Sequence, residues 1–135
     1  MTTNLRAWTG EFHDVSWAEV ADVYRVMSDR YTEFQHMTDI VDSVLRSGCD
    51  LRLAGQTSMH DLVVTTRPIS EPPIEEVVVR APGSLVFVAE GTVVIDCLSD
   101  LGNAKRVTAP VDEAVSLFWQ NITECFGLAP TWHAR

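Results

Sequence analysis

The sequence predicts an α+β fold: an N-terminal helical region, an antiparallel sheet, and a long C-terminal helix that packs on the sheet. Two patterns indicate this fold. Apolar residues recur at helical spacing over 17–47 and again over 111–126. Between these regions, 75–109 consists of short apolar runs cut by turn signals, which is typical of an antiparallel meander. The chain has 135 residues and no linker-like stretch, so we expect a single domain over 1–135.

The N-terminal helical region has start signals that agree with one another. Ser16 is a suitable N-cap, and Glu19 follows three residues later to complete a capping box. Val15 and Val20 stand at the positions of a hydrophobic staple. The apolar stripe then runs on to Gly48 through Trp17, Val20, Tyr24, Met27, Tyr31, Phe34, Met37, Val41 and Leu45.

One unbroken helix along this stripe would overhang a compact chain of this size, so we expect a break near 29–32. Thr32 and Gln35 have the spacing of a second capping box. Two helices, 17–29 and 32–47, are therefore favoured over a single long helix.

The sheet is expected to start with short strands and to end in a four-stranded meander. Alternation predicts strands at 5–12, 50–54 and 59–66, the last two joined by a Gly55-Gln56 loop. Three prolines between 67 and 73 predict a stiff surface connection. The meander strands are 75–81, 84–89, 92–98 and 104–109, with turns at Pro82-Gly83 and Glu90-Gly91.

The two central strands of the meander are apolar on both faces, apart from Asp96. Strands of this kind are normally covered on both faces. The helices supply one cover, and the other is sheet closure, a second layer or a partner chain. The C-terminal helix over 111–126 begins with two acidic residues, where the helix dipole favours them, and ends at Gly127.

Nineteen Asp and Glu against ten Lys and Arg give the chain a net charge of −9. An anionic surface repels phosphate backbones, which argues against nucleic acid, and it speeds the encounter with a basic protein. No apolar run reaches the ~20 residues of a membrane span, and the first residues show no secretory signal, so we expect a cytoplasmic protein. There, the three cysteines (Cys49, Cys97, Cys125) are expected to be buried and reduced.

The most suggestive polar cluster is Glu33, His36 and Asp39, spaced three apart on one helix face. Glu-x-x-His is half of the pattern that di-iron helical bundles use. The other half is missing from the sequence, so we expect neither a metal nor a cofactor. The three residues form either a solvated helix face or part of a binding surface.

Three further residues are candidates for binding or catalysis. Asp96 lies in the most apolar strand, so its carboxylate either faces solvent at the sheet rim or sits in a cleft with a raised pKa. His60 and Tyr24 are the other two candidates. A nucleophilic pair of Cys97 and His60 is not indicated, because nothing in the sequence brings them together. The chain contains no P-loop, GxGxxG, HExxH or GxSxG motif.

In the order of its elements the chain resembles the helix-grip arrangement of START-like ligand-binding proteins: a strand, two helices, several strands and a long last helix. The resemblance implies a sheet that curls around the last helix and leaves an apolar cavity. The chain departs from that arrangement in its longer first helical region and its proline-rich crossing.

Two functions from different classes fit these observations. The favoured one is a non-enzymatic binding module of inhibitor, immunity or chaperone type that docks to a basic partner protein. The alternative is a small apolar ligand binder or cofactor-free enzyme, with a cavity between the sheet and the C-terminal helix. A homodimer is also expected, because the strands are apolar on both faces and the first helices carry an aromatic stripe of Trp17, Tyr24, Tyr31 and Phe34.

Overall fold

The computed structural model describes residues 5–131 and confirms the α+β class. Within them lie α1 (Trp17–Arg30), α2 (Gln35–Arg46), β1 (Leu53–Ser58), β2 (Asp61–Thr66), β3 (Glu76–Arg80), β4 (Thr92–Leu98), β5 (Lys105–Pro110) and α3 (Ala114–Phe126). Short 3₁₀ turns, Thr32–Phe34 and Val111–Glu113, lead into α2 and α3. None of the helices in the described part of the chain has the length and apolarity that crossing a membrane requires.

The N-terminal helical region is two helices, as favoured from the sequence. Ser16 caps α1, because its Oγ accepts a hydrogen bond from the Glu19 backbone N–H at 3.2 Å. A 3₁₀ turn then redirects the chain before α2 begins at Gln35. The second capping box is wrong, since no side chain caps either this turn or α2. Beyond the end of α2, Gly48 has a φ of +78°, which suits glycine.

The five strands form one antiparallel meander in the order β1-β2-β3-β4-β5. Three of the four predicted meander strands are present as β3, β4 and β5. The predicted strand 84–89 is wrong. It belongs to the connection between β3 and β4, residues 81–91, which we call the 81–91 loop. β4 pairs with β3 on one side and with β5 on the other, so no place is left for another strand beside it.

The boundary between β1 and β2 also differs from the prediction. Gly55 and Gln56 lie inside β1, and the turn is Met59-His60, where both residues have positive φ. A Cβ at Gly55 would lie 2.6 Å from the Trp17 ring. Glycine at this position therefore serves the close packing of α1 on the sheet, not a turn.

The three helices cover one face of the sheet. α1 packs on α2 and β1, and α3 packs on α2 and on β3, β4 and β5. Two indole N–H groups donate hydrogen bonds within this layer, Trp17 to the Leu53 carbonyl oxygen and Trp119 to the Ser43 hydroxyl, both at 2.9 Å. Each bond avoids the cost of about 1–3 kcal/mol that a buried unpaired donor carries.

The opposite face of the sheet is covered in part by the chain itself. Residues 5–12 form no strand beyond a bridge between Trp8 and Ile74, but they cross this face and bring Phe12 onto it. A second apolar cluster results, made of Phe12, Ala54, Val63, Ile74 and Val78, with Ile69 of the proline-rich connection packed against it. These segments cover part of the sheet face opposite the helices, as expected for strands that are apolar on both faces.

Cys97 and Cys125 form a disulfide that joins β4 to α3, so the prediction of three reduced cysteines is wrong. Their Cα atoms are 6.9 Å apart. Cys49 is free and buried. The spacing of the cysteines gave no sign of this pairing, because the two residues are 28 positions apart and meet only through the packing of α3 on the sheet.

Candidate functional site

A cleft with a volume of about 590 Å³ separates the 81–91 loop from the start of α2. Glu33 and His36 lie on its helical wall, and Val88 and Glu90 lie on its loop wall. Val111, just ahead of α3, also lines it. Two of the six predicted site residues, Glu33 and His36, are thus brought together in one concave surface.

His36 is the polar side chain that distinguishes this cleft. The residue is 6% exposed, and its Nε2 atom is buried without a hydrogen-bond partner. Burial lowers the pKa of His36 and outweighs the opposing effects of Asp39 and of a backbone hydrogen bond to Glu33. The imidazole is therefore neutral at neutral pH. A neutral imidazole has one acceptor nitrogen, and the unpaired Nε2 is available for that role.

Two carboxylates, Glu33 and Glu90, line the cleft. Both residues are exposed, and no Lys or Arg is among the described residues that line the cleft. The N-terminus of α2 contributes about half a positive charge, which the two carboxylates outweigh. The cleft therefore has a negative potential.

The 81–91 loop places two large apolar side chains beside the acidic cleft. Leu85 is 85% exposed and Phe87 is 84% exposed, while Val86 and Val88, which alternate with them, are half-buried. Covering a Leu or Phe side chain fully is worth about 1.5–3 kcal/mol. The loop thus holds apolar surface that a partner could bury.

Tyr24 and His60 meet in the structure, but away from the cleft. The Tyr24 hydroxyl donates a hydrogen bond to the His60 backbone oxygen at 2.7 Å, and the His60 ring packs edge-on against Phe34 with the ring centroids 6.1 Å apart. Burial, and then the charge of Asp61, raise the pKa of Tyr24 far above its usual value, so it is not an acid at neutral pH. These contacts hold the β1–β2 turn against α1. Asp39, the remaining helical candidate, is exposed and accepts a hydrogen bond from Gln35.

Asp96 lies on the opposite face of the sheet, in neither of the two positions expected for it. It has no exposed surface, and it accepts hydrogen bonds from Arg80 at 2.9 Å and from two nitrogens of Arg106 at 2.6 and 2.8 Å. Arg80 also pairs with Asp61 at 3.0 Å. The hydrogen bond with Asp96 raises the pKa of Arg106. The register of β4 and β5, which sets Asp96 opposite Arg106, produces this buried network.

Glu76 lies on the same face and has no such partner. It is 2% exposed, and its Oε2 atom is buried without a hydrogen bond. Burial raises the pKa of Glu76 to about 7, although the Arg80 guanidinium opposes the change. Glu76 lines a cavity of about 160 Å³ together with Trp8, Gln56 and Ser58.

Glu76, Arg80, Arg106 and the 81–91 loop were not among the functional residues predicted from the sequence. A signal existed for the first two, because Glu76 and Arg80 take alternate positions around Val78 in β3 and so share one face. The role of Arg106 depends on strand register, and the loop was taken for a buried strand.

Comparison of the chain with protein-family models, curated proteins and solved structures finds no significant match. Within residues 5–131, no group of three or more His, Cys, Asp or Glu side chains is placed to hold a metal ion.

Proposed function

We propose that this protein is a non-enzymatic binding module that receives a basic segment of a partner protein in the cleft between α2 and the 81–91 loop. The observation that carries the proposal is that His36, whose buried Nε2 has no hydrogen-bond partner, lines the cleft together with two carboxylates, Glu33 and Glu90. A buried polar atom without a partner costs about 1–3 kcal/mol, which a bound donor recovers. An inhibitor, an immunity protein or a chaperone for a basic client would present such a surface.

A Lys or Arg side chain has the chemistry that this cleft lacks. Its N–H groups donate to the Nε2 of His36, and its charge is attracted by Glu33 and Glu90. A neutral imidazole is required for this, because a protonated one offers no acceptor and repels the cation. The volume of about 590 Å³ exceeds that of one side chain, so it suits a segment of chain.

Leu85 and Phe87 supply the apolar part of the proposed interface. Aromatic and aliphatic side chains that become buried carry most of the energy of protein interfaces, and surrounding charges mainly steer the encounter. Raising the salt concentration should therefore slow association more than it speeds dissociation.

The small-ligand alternative receives less support from the geometry. Phe118 and Ile122 of α3 have no exposed surface and fill the interface where a cavity between sheet and helix would lie. Tyr24 and His60 make structural contacts, and Asp96 is already paired. We therefore keep the binding module as the proposed function.

A homodimer and a cytoplasmic location remain predictions. Trp17, Tyr24 and Phe34 are buried within the protomer, which leaves Tyr31 as the exposed member of the aromatic stripe and weakens the argument for a dimer. The disulfide between Cys97 and Cys125 is more typical of an oxidising compartment and weakens the argument for a cytoplasmic location.

The proposal is tested with a short synthetic peptide that alternates Arg and Leu, and with a Glu–Leu peptide as the reverse-charge probe. Surface plasmon resonance at low and high salt should show saturable binding of the Arg–Leu peptide only, with an association rate that falls as salt rises. His36→Phe and Phe87→Ser should each weaken binding about tenfold. Lowering the pH should weaken binding to the wild-type protein, because His36 becomes protonated.

Control variants remove carboxylates or an apolar side chain at exposed positions outside the cleft. Glu33→Gln with Glu90→Gln removes two carboxylates from the cleft, and Glu11→Gln with Glu71→Gln removes two exposed carboxylates outside it. Leu51→Ser is the control for the apolar loop, because Leu51 is 77% exposed. Equal losses from the cleft variants and the controls would indicate diffuse charge attraction and would overturn the proposal.

A further inference from the structure

We infer a second binding site on the opposite face of the sheet: the pocket at Glu76 takes the ammonium group of a short primary amine. The pocket is a cavity of about 160 Å³ between the strands and Trp8. Glu76 lines this cavity, and its Oε2 atom is buried and lacks a hydrogen-bond donor. This inference does not depend on the cleft at His36.

The buried charges at and beside the pocket are one cation short among the described residues. Three carboxylates, Asp61, Glu76 and Asp96, stand against two guanidinium groups, Arg80 and Arg106, and both Asp61 and Arg80 line the pocket with Glu76. Arg80 and Arg106 are held by Asp61 and Asp96 at 3.0 Å or less. Glu76 therefore either takes up a proton or faces a cation supplied from solution, and a cation is favoured wherever the carboxylate is ionised.

The walls of the pocket suit an alkylammonium ion more than a metal ion. Val63, Val78 and Leu98 provide apolar contact for a short carbon chain. Trp8 also lines the pocket, and its ring packs against Gly10, where a Cβ would be 2.7 Å from the ring; an indole ring can attract a cation. A metal ion needs several carboxylate or carbonyl ligands, and the described residues hold no such group.

The size of the pocket points to a free amine as the source of the ammonium group. A cavity of about 160 Å³ accommodates a chain of a few carbons and leaves little room for the backbone that a lysine in a protein would bring with it. Binding should tighten as the pH rises through about 7, because the carboxylate of Glu76 must be ionised to attract the amine.

The experiment is a titration of the oxidised, full-length protein with n-propylammonium chloride, followed by the NMR shift of the Glu76 side-chain carboxyl carbon. Propanol tests whether the propyl group binds without the ammonium charge. Sodium chloride tests whether ionic strength alone shifts the signal, and Nα-acetyl-lysine methylamide tests whether a lysine side chain binds. We expect saturable binding of propylammonium alone. Glu76→Gln should weaken it at least about tenfold, and Glu75→Gln, the same change one residue earlier, should leave it unaltered.

Three results would overturn the inference. These are the lack of any saturable shift with propylammonium, equal binding of propanol, and a loss of binding in Glu75→Gln as large as that in Glu76→Gln. Stronger binding of the lysine derivative than of propylammonium would reject a free amine as the ligand. The amide signals of β3 report in each case whether the variant keeps its fold.

Discussion

We expect the stability of Glu76→Gln, compared with that of the wild-type protein, to increase as the pH rises. Burial raises the pKa of Glu76 to about 7 from its usual 4.5. The folded protein therefore holds this proton more tightly than the unfolded chain does. The resulting stabilisation is present below pH 4.5 and is lost as the pH rises through 7. Gln has no proton to lose, so the variant escapes this loss.

The size of the effect follows from the shift in pKa. The pKa of Glu76 is raised from 4.5 to about 7, and each pKa unit corresponds to about 1.4 kcal/mol of stability. Most of this stabilisation is lost as the pH rises from 5 to 8. The free energy of unfolding of Glu76→Gln, minus that of wild type, should therefore be about 2 kcal/mol more favourable at pH 8 than at pH 5. Protonation of His36 over the same range affects both proteins equally and cancels in the difference.

Urea denaturation followed by tryptophan fluorescence measures this difference directly. Acetate and phosphate buffers are needed, because an amine buffer could occupy the pocket at Glu76. Glu75→Gln is the control, since Glu75 is half-buried and its carboxylate accepts a hydrogen bond from the Asp100 backbone N–H. A difference between Glu76→Gln and wild type that stayed constant from pH 5 to pH 8 would refute the reasoning.

Two further predictions concern stability. Asp96→Asn should lower the free energy of unfolding by about 2–4 kcal/mol, because Arg106 loses its buried counter-ion and Arg80 keeps only Asp61. Asp42→Asn, at an exposed pair with Arg25, should cost no more than about 1 kcal/mol, and equal costs would show that the network is not stabilising. Ser16→Ala should cost about 0.5–2 kcal/mol through loss of the cap on α1, and an unchanged denaturation midpoint would contradict the cap.

The helices could be predicted from the sequence because their signals are local. Ser16 and Gly127 each act within a few residues of the helix end that they define, and both are found in their expected roles. Most of the apolar stripe is buried, but Tyr31 and Leu45 are exposed. The run 84–89 could not be assigned in this way. Its apolar residues are typical of a buried strand, but a strand needs a free partner edge, and both edges of β4 are occupied.

The candidate site was predictable only where its residues are close in sequence. Glu33 and His36 were identified from a spacing of three, and both line the cleft, although Glu33 lies in the 3₁₀ turn that precedes α2. Asp96 was identified as unusual in an apolar strand, but its partner Arg106 is set by register between β4 and β5. Gly55 was misread for a related reason: its packing against Trp17 is a tertiary contact that no local pattern contains.

The side-chain nitrogens of His36 give the most direct test of the proposed function. A long-range ¹H–¹⁵N correlation spectrum at neutral pH, without and with the Arg–Leu peptide, reports the protonation and hydrogen bonding of Nε2. The proposal predicts an unprotonated Nε2 in the free protein and a shift of that nitrogen on saturation, while the exposed His13 and His60 stay unchanged. A protonated Nε2 in the free protein, or an unchanged one with peptide bound, would contradict it.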